Sequence, residues 1–152
     1  MSVIIHEDRP RYDPRLKGIF GVVFAVLIYS GIEAYLNEGL EAASFVLIPV
    51  VVVGLALYLV MPRRYQVLDD CLKVVMGGGF SIGYPFSTMK GIVQRSDIWF
   101  SINFVTTFSS KHVVYLIRTK GFPVAISPSE PQALIATTER AMALWKRTGG
   151  VG

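Results

Sequence analysis

Two long apolar runs occupy most of the first 61 residues of this chain and constrain its fold more than any other feature. They extend from Gly18 to Leu36 and from Ala43 to Met61, with a short acidic connection, Asn37 to Ala42, between them. A helix needs ~20 mostly apolar residues to cross ~30 Å of hydrocarbon, and each run is about that long. Residues 18–61 are therefore predicted to form a hairpin of two transmembrane helices.

The charges that flank the two runs predict the orientation of the hairpin. Basic residues precede the first run and follow the second, whereas the connection carries only Glu38 and Glu41. Short segments rich in Lys and Arg stay on the cytoplasmic side. We therefore expect a multi-pass protein of the cell membrane with both termini cytoplasmic, a cytoplasmic tail at residues 1–17 and a cytoplasmic domain at residues 62–148. The basic residues expected beside lipid headgroups are Arg15, Lys17, Arg63 and Arg64.

Composition agrees with this division and narrows the class of protein. The mean hydropathy of +0.48 is high for a soluble protein, and the two apolar runs account for it. The net charge of +4 arises largely beside the runs, where it suits anionic headgroups. The remaining basic residues are scattered, which disfavours nucleic-acid binding. A single cysteine, Cys71, permits no disulfide within one chain.

From Arg64 onward the pattern of apolar residues changes to a period of two, which is typical of strands. The expected turns are Asp69-Asp70, Gly77-Gly78-Gly79, Ser109-Ser110-Lys111 and Lys120-Gly121. The strongest strand pattern is Trp99 to Phe108. The strand candidates are residues 65–68, 72–75, 80–84, 89–94, 99–108, 113–118 and 122–126. We expect six or seven antiparallel strands in a bent sheet or open barrel.

A helix is predicted to follow the strands. Ser127 is expected to cap it, Pro128 to occupy its first position and Glu130 to complete a capping box. The helix should continue to about Lys146. Its apolar face is expected to pack on the sheet and contains, at helical spacing, Leu134, Thr138, Ala141, Met142 and Trp145.

Three segments resemble the bacterial PH-like domains of small membrane-anchored proteins. They are residues 62–72 (PRRYQVLDDCL), 84–89 (YPFSTM) and 124–131 (VAISPSEP). The resemblance extends from about Arg63 to Trp145. It implies an α+β PH-like barrel closed by one C-terminal helix and tethered to a membrane, and it implies no reaction.

No constellation of residues in the sequence indicates catalysis, a metal site or a cofactor. His6 and His112 are far apart and lack an adjacent cluster of Cys or carboxylate residues. Asp69 and Asp70 suit a turn, and the glycine-rich stretch matches no phosphate-binding motif. Cys71 is predicted to be a half-buried structural thiol.

Two classes of binding function remain open. In the first, the domain is a scaffold that holds a membrane-protein partner or a second copy at the membrane, with Trp99 as a contact residue. In the second, it senses anionic lipid headgroups through Arg63, Arg64 and other basic residues, with Lys73, Lys90 and Arg95 as the further candidates. A membrane enzyme is a remote third alternative, and no small-molecule substrate is indicated.

Overall fold

The structure, a computed structural model, describes residues 3–94, 101–107 and 109–150. The chain divides into two compact units. One consists of Asp13–Val60, and the other combines the residues before Asp13 with those from Met61 onward. The second unit is therefore built from both ends of the chain.

The smaller unit is a hairpin of two helices, α1 (Pro14–Glu38) and α2 (Leu40–Val60). Asp13 caps α1, since its Oδ1 atom accepts a hydrogen bond of 2.9 Å from the amide of Arg15. Gly39 alone separates the helices, and its φ of 89° is a conformation that favours glycine. The helices are thus longer, and their connection shorter, than the apolar runs predict.

The side chains of both helices are largely exposed. Gly31 and Ala43 are the buried residues of α1 and α2, and Gly31 allows a close approach of the helices. A Cβ atom at Gly31 would lie 2.7 Å from Cγ of Leu47. Both helices are long and apolar enough to cross a membrane. Exposed apolar surface of this extent suits lipid better than water.

The segment before α1, which the sequence suggests is a cytoplasmic tail (residues 1–17), contributes a strand to a sheet. Strand β1 (Ile4–Asp8) pairs antiparallel with β2, and Glu7 lies opposite Gln66. His6, expected in a surface tail, is half-buried in this strand. The hairpin is consequently an insertion between two neighbouring strands of one sheet.

In the part of the chain that the structure describes, seven strands follow the hairpin, where the sequence predicts six or seven, and together with β1 they form two sheets. The first sheet has the order β1-β2-β3-β4 and the second β5-β7-β8-β6. Pairing within the first sheet is antiparallel, whereas β6 runs parallel to β8, so the prediction of a wholly antiparallel sheet is wrong. The bounds are β2 Pro62–Leu68, β3 Cys71–Met76, β4 Ser81–Pro85, β5 Met89–Val93, β6 Ile102–Phe104, β7 Val114–Arg118 and β8 Val124–Ile126.

Helix α3 (Pro131–Arg147) packs on the core with the predicted face. The buried residues of α3 are Leu134, Thr138, Ala141 and Met142. The rings of Trp145 and Phe86 make a T-shaped contact at a centroid distance of 6.5 Å. The helix begins three residues later than predicted, and the side chain of its N-cap residue, Glu130, makes no capping hydrogen bond. The predicted capping box is therefore wrong.

Candidate functional site

Strand β2 presents basic residues to solvent immediately after the hairpin. It begins at Pro62, two residues beyond the end of α2. Tyr65 and Val67 face the core, whereas Arg64 and Gln66 alternate with them and face outward. The alternation of the strand thus separates a core face from a polar outer face.

Register brings a third basic residue to this outer face. Lys73 lies opposite Gln66 on β2 and opposite Gly83 on β4. Together with Arg63 and Arg64 it lines an open groove of about 410 Å³. We call this the basic groove; its lining residues are Arg63, Arg64, Gln66, Lys73, Val75, Met76, Gly77, Gly79 and Ser81.

Glu7 of β1 holds two residues of the basic groove in place. Its Oε1 atom lies 3.1 Å from Nη1 of Arg64, and its Oε2 atom accepts a 2.8 Å hydrogen bond from Nε2 of Gln66. This ion pair is exposed and contributes little to stability. The contact restrains the guanidinium group of Arg64, and the described residues that line the groove include no carboxylate.

The charge of the basic groove suits the recognition of an anion. Guanidinium and ammonium groups bind phosphate and carboxylate oxygens by charge-assisted hydrogen bonds. Among the residues that the structure describes, no three His, Cys, Asp or Glu side chains are grouped as a metal site would require.

The structure brings some of the predicted site residues together. Arg63 and Arg64 lie on β2 and share the groove with Lys73. Arg15 and Lys17 are exposed in the first turn of α1. Lys90 is exposed on β5, outside the groove. Four residues singled out in the sequence lie outside the described residues: Arg95, Trp99, Phe100 and Phe108.

Cys71 is a half-buried thiol at the start of β3, as the sequence predicts. Burial raises its pKa to about 11, and a hydrogen bond to Asp70 and the charge of that carboxylate act in the same direction. The thiolate is the reactive form of cysteine. The thiol is therefore poorly suited to nucleophilic chemistry at neutral pH.

A buried polar network, not foreseen from the sequence, attaches the segment before the hairpin to the rest of the domain. We call residues 9–12, which follow β1, the N-terminal arm. The amide of Arg11 donates to the carbonyl of Ser127 at 2.8 Å, and the hydroxyl of Tyr12 donates to the carbonyl of Pro62. Thr106, itself buried, donates to the carbonyl of Arg11 at 2.7 Å.

Both chain segments that flank the hairpin are therefore fixed to one framework. The Tyr12 contact joins the residue before Asp13 to the first strand residue after Met61. The sequence of residues 9–12 does not predict these contacts, since their partners lie far along the chain. The arm positions β2, and with it the basic groove.

Searches of the chain against protein-family models, curated protein sequences and solved structures find no match.

Proposed function

We propose that this protein is a non-enzymatic binding module, anchored in the cell membrane by its helical hairpin, that holds a protein partner at the cytoplasmic face. The domain in this proposal is a PH-like fold. The observation that carries it is the insertion of the hairpin between paired strands β1 and β2. A domain joined to its anchor at both ends of the hairpin, through segments fixed to each other, has little freedom to leave the membrane surface.

The pairing of β1 with β2 also supports the proposed orientation of the hairpin in the membrane. Strands β1 and β2 belong to one sheet, so the two flanks of a hairpin that crosses the membrane lie on the same side of it. The excess of Lys and Arg in these flanks supports the cytoplasmic side.

Two surfaces are available to a protein partner. Strand β4 forms the edge of the first sheet, and Gly83 is exposed there. Unpaired strand edges accept a further strand from a partner. On α3, Leu144 is 58% exposed and offers an apolar contact on the helix flank.

The first experiment is purification of the full-length protein from its native membrane in mild detergent, followed by mass spectrometry. We expect one further protein to be retained in fixed stoichiometry. The same purification with Gly83→Lys and with Leu144→Lys identifies the surface, since the partner is lost from the variant whose surface it covers. An exposed residue elsewhere, Ser129→Lys, is the matched control. A protein that purifies alone in every case contradicts the proposal.

The basic groove favours a second candidate function, the recognition of anionic lipid headgroups. Arg63 and Arg64 follow the hairpin within four residues of Val60, where headgroups are within reach. Each basic residue near an anionic membrane contributes about 1 kcal/mol of attraction. Arg15 and Lys17, in the first turn of α1, add to the positive charge beside the other end of the hairpin.

Native mass spectrometry of the full-length protein tests this second function. We expect phosphatidylglycerol to be retained in preference to phosphatidylcholine, and the double variant Arg63→Gln/Lys73→Gln to lose the preference. The matched control is Arg140→Gln/Lys146→Gln, which removes the same charge from exposed positions on α3. Equal lipid retention by both double variants contradicts headgroup recognition in the groove.

A further inference from the structure

The turn between β3 and β4 carries an exposed aromatic side chain close to the end of the hairpin. Phe80 is 48% exposed and follows three glycines. The turn is well ordered by hydrogen bonds, since the amide of Met76 donates to the carbonyl of Phe80 at 2.9 Å and the amide of Gly79 to that of Met76 at 3.2 Å. Gly79 adopts a φ of 80°, which a side chain would disfavour.

A hydrogen bond attaches this turn to the residue next to α2. The amide of Gly77 donates to the carbonyl of Met61 at 2.9 Å, and Met61 directly follows Val60, the last residue of the helix. Covalent geometry therefore keeps the turn within ~10 Å of the end of α2. Pairing of Met76 with Pro62 holds the adjoining strands together.

The surroundings of Phe80 combine apolar and basic groups. Phe80 is the one large side chain in a turn that otherwise consists of Gly77, Gly78 and Gly79. Gly77 and Gly79 line the basic groove together with Arg63 and Lys73, so the turn forms part of the groove's wall. An exposed aromatic ring on a turn that lines a basic groove is a combination that favours the boundary between headgroups and acyl chains.

We propose that Phe80 inserts into the lipid interface beside the second helix and that the Gly77–Phe80 turn is a third point of attachment to the membrane. This inference rests on the proposed anchoring by the hairpin. The partner is the bilayer surface itself, with the Phe80 ring at the level of the headgroups and the basic groove facing the phosphates. Three attachments, two covalent and one by insertion, would fix the tilt of the domain against the membrane.

The test uses nitroxide labels on the full-length protein in a Cys71→Ser background, reconstituted in nanodiscs of phosphatidylcholine and phosphatidylglycerol. One label replaces Phe80, which is exposed, so its substitution by cysteine leaves the core intact. Phe122→Cys provides a matched control, because Phe122 is also an exposed phenylalanine (63%) in the connection between two strands, β7 and β8. Val51→Cys reports on α2, where Val51 is 68% exposed.

The measured quantity is the ratio of collision rates with oxygen, which concentrates in lipid, and with a water-soluble nickel chelate. We expect this ratio at position 80 to exceed that at position 122 severalfold and to lie below that at position 51. A ratio at position 80 equal to that at position 122, with position 51 in lipid, overturns the insertion of Phe80 and leaves the anchoring intact. Low ratios at both positions 51 and 80, as expected for labels in water, overturn the anchoring and this inference together.

Discussion

At the scale of single residues, Tyr65 joins strands from both sheets. Its side chain is fully buried on β2. The hydroxyl donates to the carbonyl of Phe104 on β6 and accepts from the amide of Ser127, just beyond β8, each at 3.3 Å. A buried amide that loses its acceptor costs more than an average hydrogen bond contributes. The hydroxyl therefore matters to stability although both of its bonds are long.

Replacement of this hydroxyl should destabilise the domain. We expect Tyr65→Phe to lower the free energy of unfolding by about 1–3 kcal/mol, because the buried amide of Ser127 loses its acceptor. The measurement is urea unfolding of the full-length protein in mild detergent, followed by near-ultraviolet circular dichroism. Tyr115→Phe, on β7, is the control and should change stability little. Equal stability of Tyr65→Phe and the wild type would contradict the role assigned to the hydroxyl.

Tyr65 also predicts how stability responds to alkaline pH. Burial raises its pKa above the ordinary value of 10.0. The neutral phenol stabilises the fold fully below pH 10; above it the unfolded chain releases the proton while the folded chain keeps it, so stability falls. We expect the wild type to lose up to about 1.4 kcal/mol more per pH unit above pH 10 than Tyr65→Phe does. Parallel pH profiles of the two proteins would refute this account.

Gly31 is the residue on which close packing of the hairpin depends. We expect Gly31→Val to separate α1 from α2, because the added atoms would overlap Leu47, and to destabilise the packing by about 1–3 kcal/mol. The distance between spin labels at Val22 and Val52, in a Cys71→Ser background, should lengthen and its distribution broaden. Gly18→Val, where the structure leaves open space, is the matched control. Leu47→Ala should partly restore the distance in the double variant.

At the scale of elements, β1 and the N-terminal arm complete the domain. Asp8, at the end of β1, accepts a 3.0 Å hydrogen bond from the amide of Glu130, the N-cap residue of α3. A carboxylate from the other end of the chain thus does what the predicted capping box would have done. The two partners are 122 positions apart in the sequence.

A domain cut at Pro62 should therefore fail to fold normally. We expect residues 62–148 alone to lack a cooperative thermal transition, because the first sheet loses β1 and α3 loses the Asp8 acceptor. The same segment with residues 3–12 attached ahead of Pro62 through a short Gly/Ser linker should unfold cooperatively. Thermal unfolding by circular dichroism distinguishes them, and equal transitions in the two proteins would show that β1 is dispensable.

Local patterns in the sequence predict most of the elements. Alternation predicts the positions of the strands after the hairpin, and helical spacing predicts the buried face of α3, because both depend on neighbouring residues. The strand predicted over 99–108 is shorter than expected, since in its described part only Ile102–Phe104 is a strand. Strand β1 is not predicted, because its sequence, IIHED, lacks alternation and its partner strand lies beyond the hairpin. Helix α3 begins later than the spacing predicts because Ser127 is buried and its hydroxyl accepts a hydrogen bond from the amide of Thr106 instead of capping the helix.

The candidate site, too, combines features that neighbouring residues predict with features that depend on pairing between distant strands. The charges of Arg63 and Arg64 beside an apolar run are visible in the sequence and predict a place near headgroups. The addition of Lys73 depends on the register of β2 against β3, and the restraint by Glu7 depends on the pairing of β1. Neither pairing can be read from spacing along the chain.

At the scale of the whole molecule, the orientation of the hairpin is the property that decides every proposed function. In a Cys71→Ser background, we expect Asn37→Cys, beside the turn of the hairpin, to react with a membrane-impermeant maleimide applied to intact cells. Ser129→Cys, which is exposed on the domain, should react only after lysis. Labelling of Ser129→Cys in intact cells would place the domain outside and exclude the cytoplasmic partners proposed above.

The position of β1 ahead of the hairpin has a consequence for biosynthesis. The ribosome makes this strand before the hairpin, yet its partner, β2, emerges only after both helices have been made. If one helix fails to insert, β1 and β2 are left on opposite sides of the bilayer and the first sheet cannot close. The domain would then fold only in chains whose two helices have both inserted. A misinserted chain would remain unfolded and open to proteases.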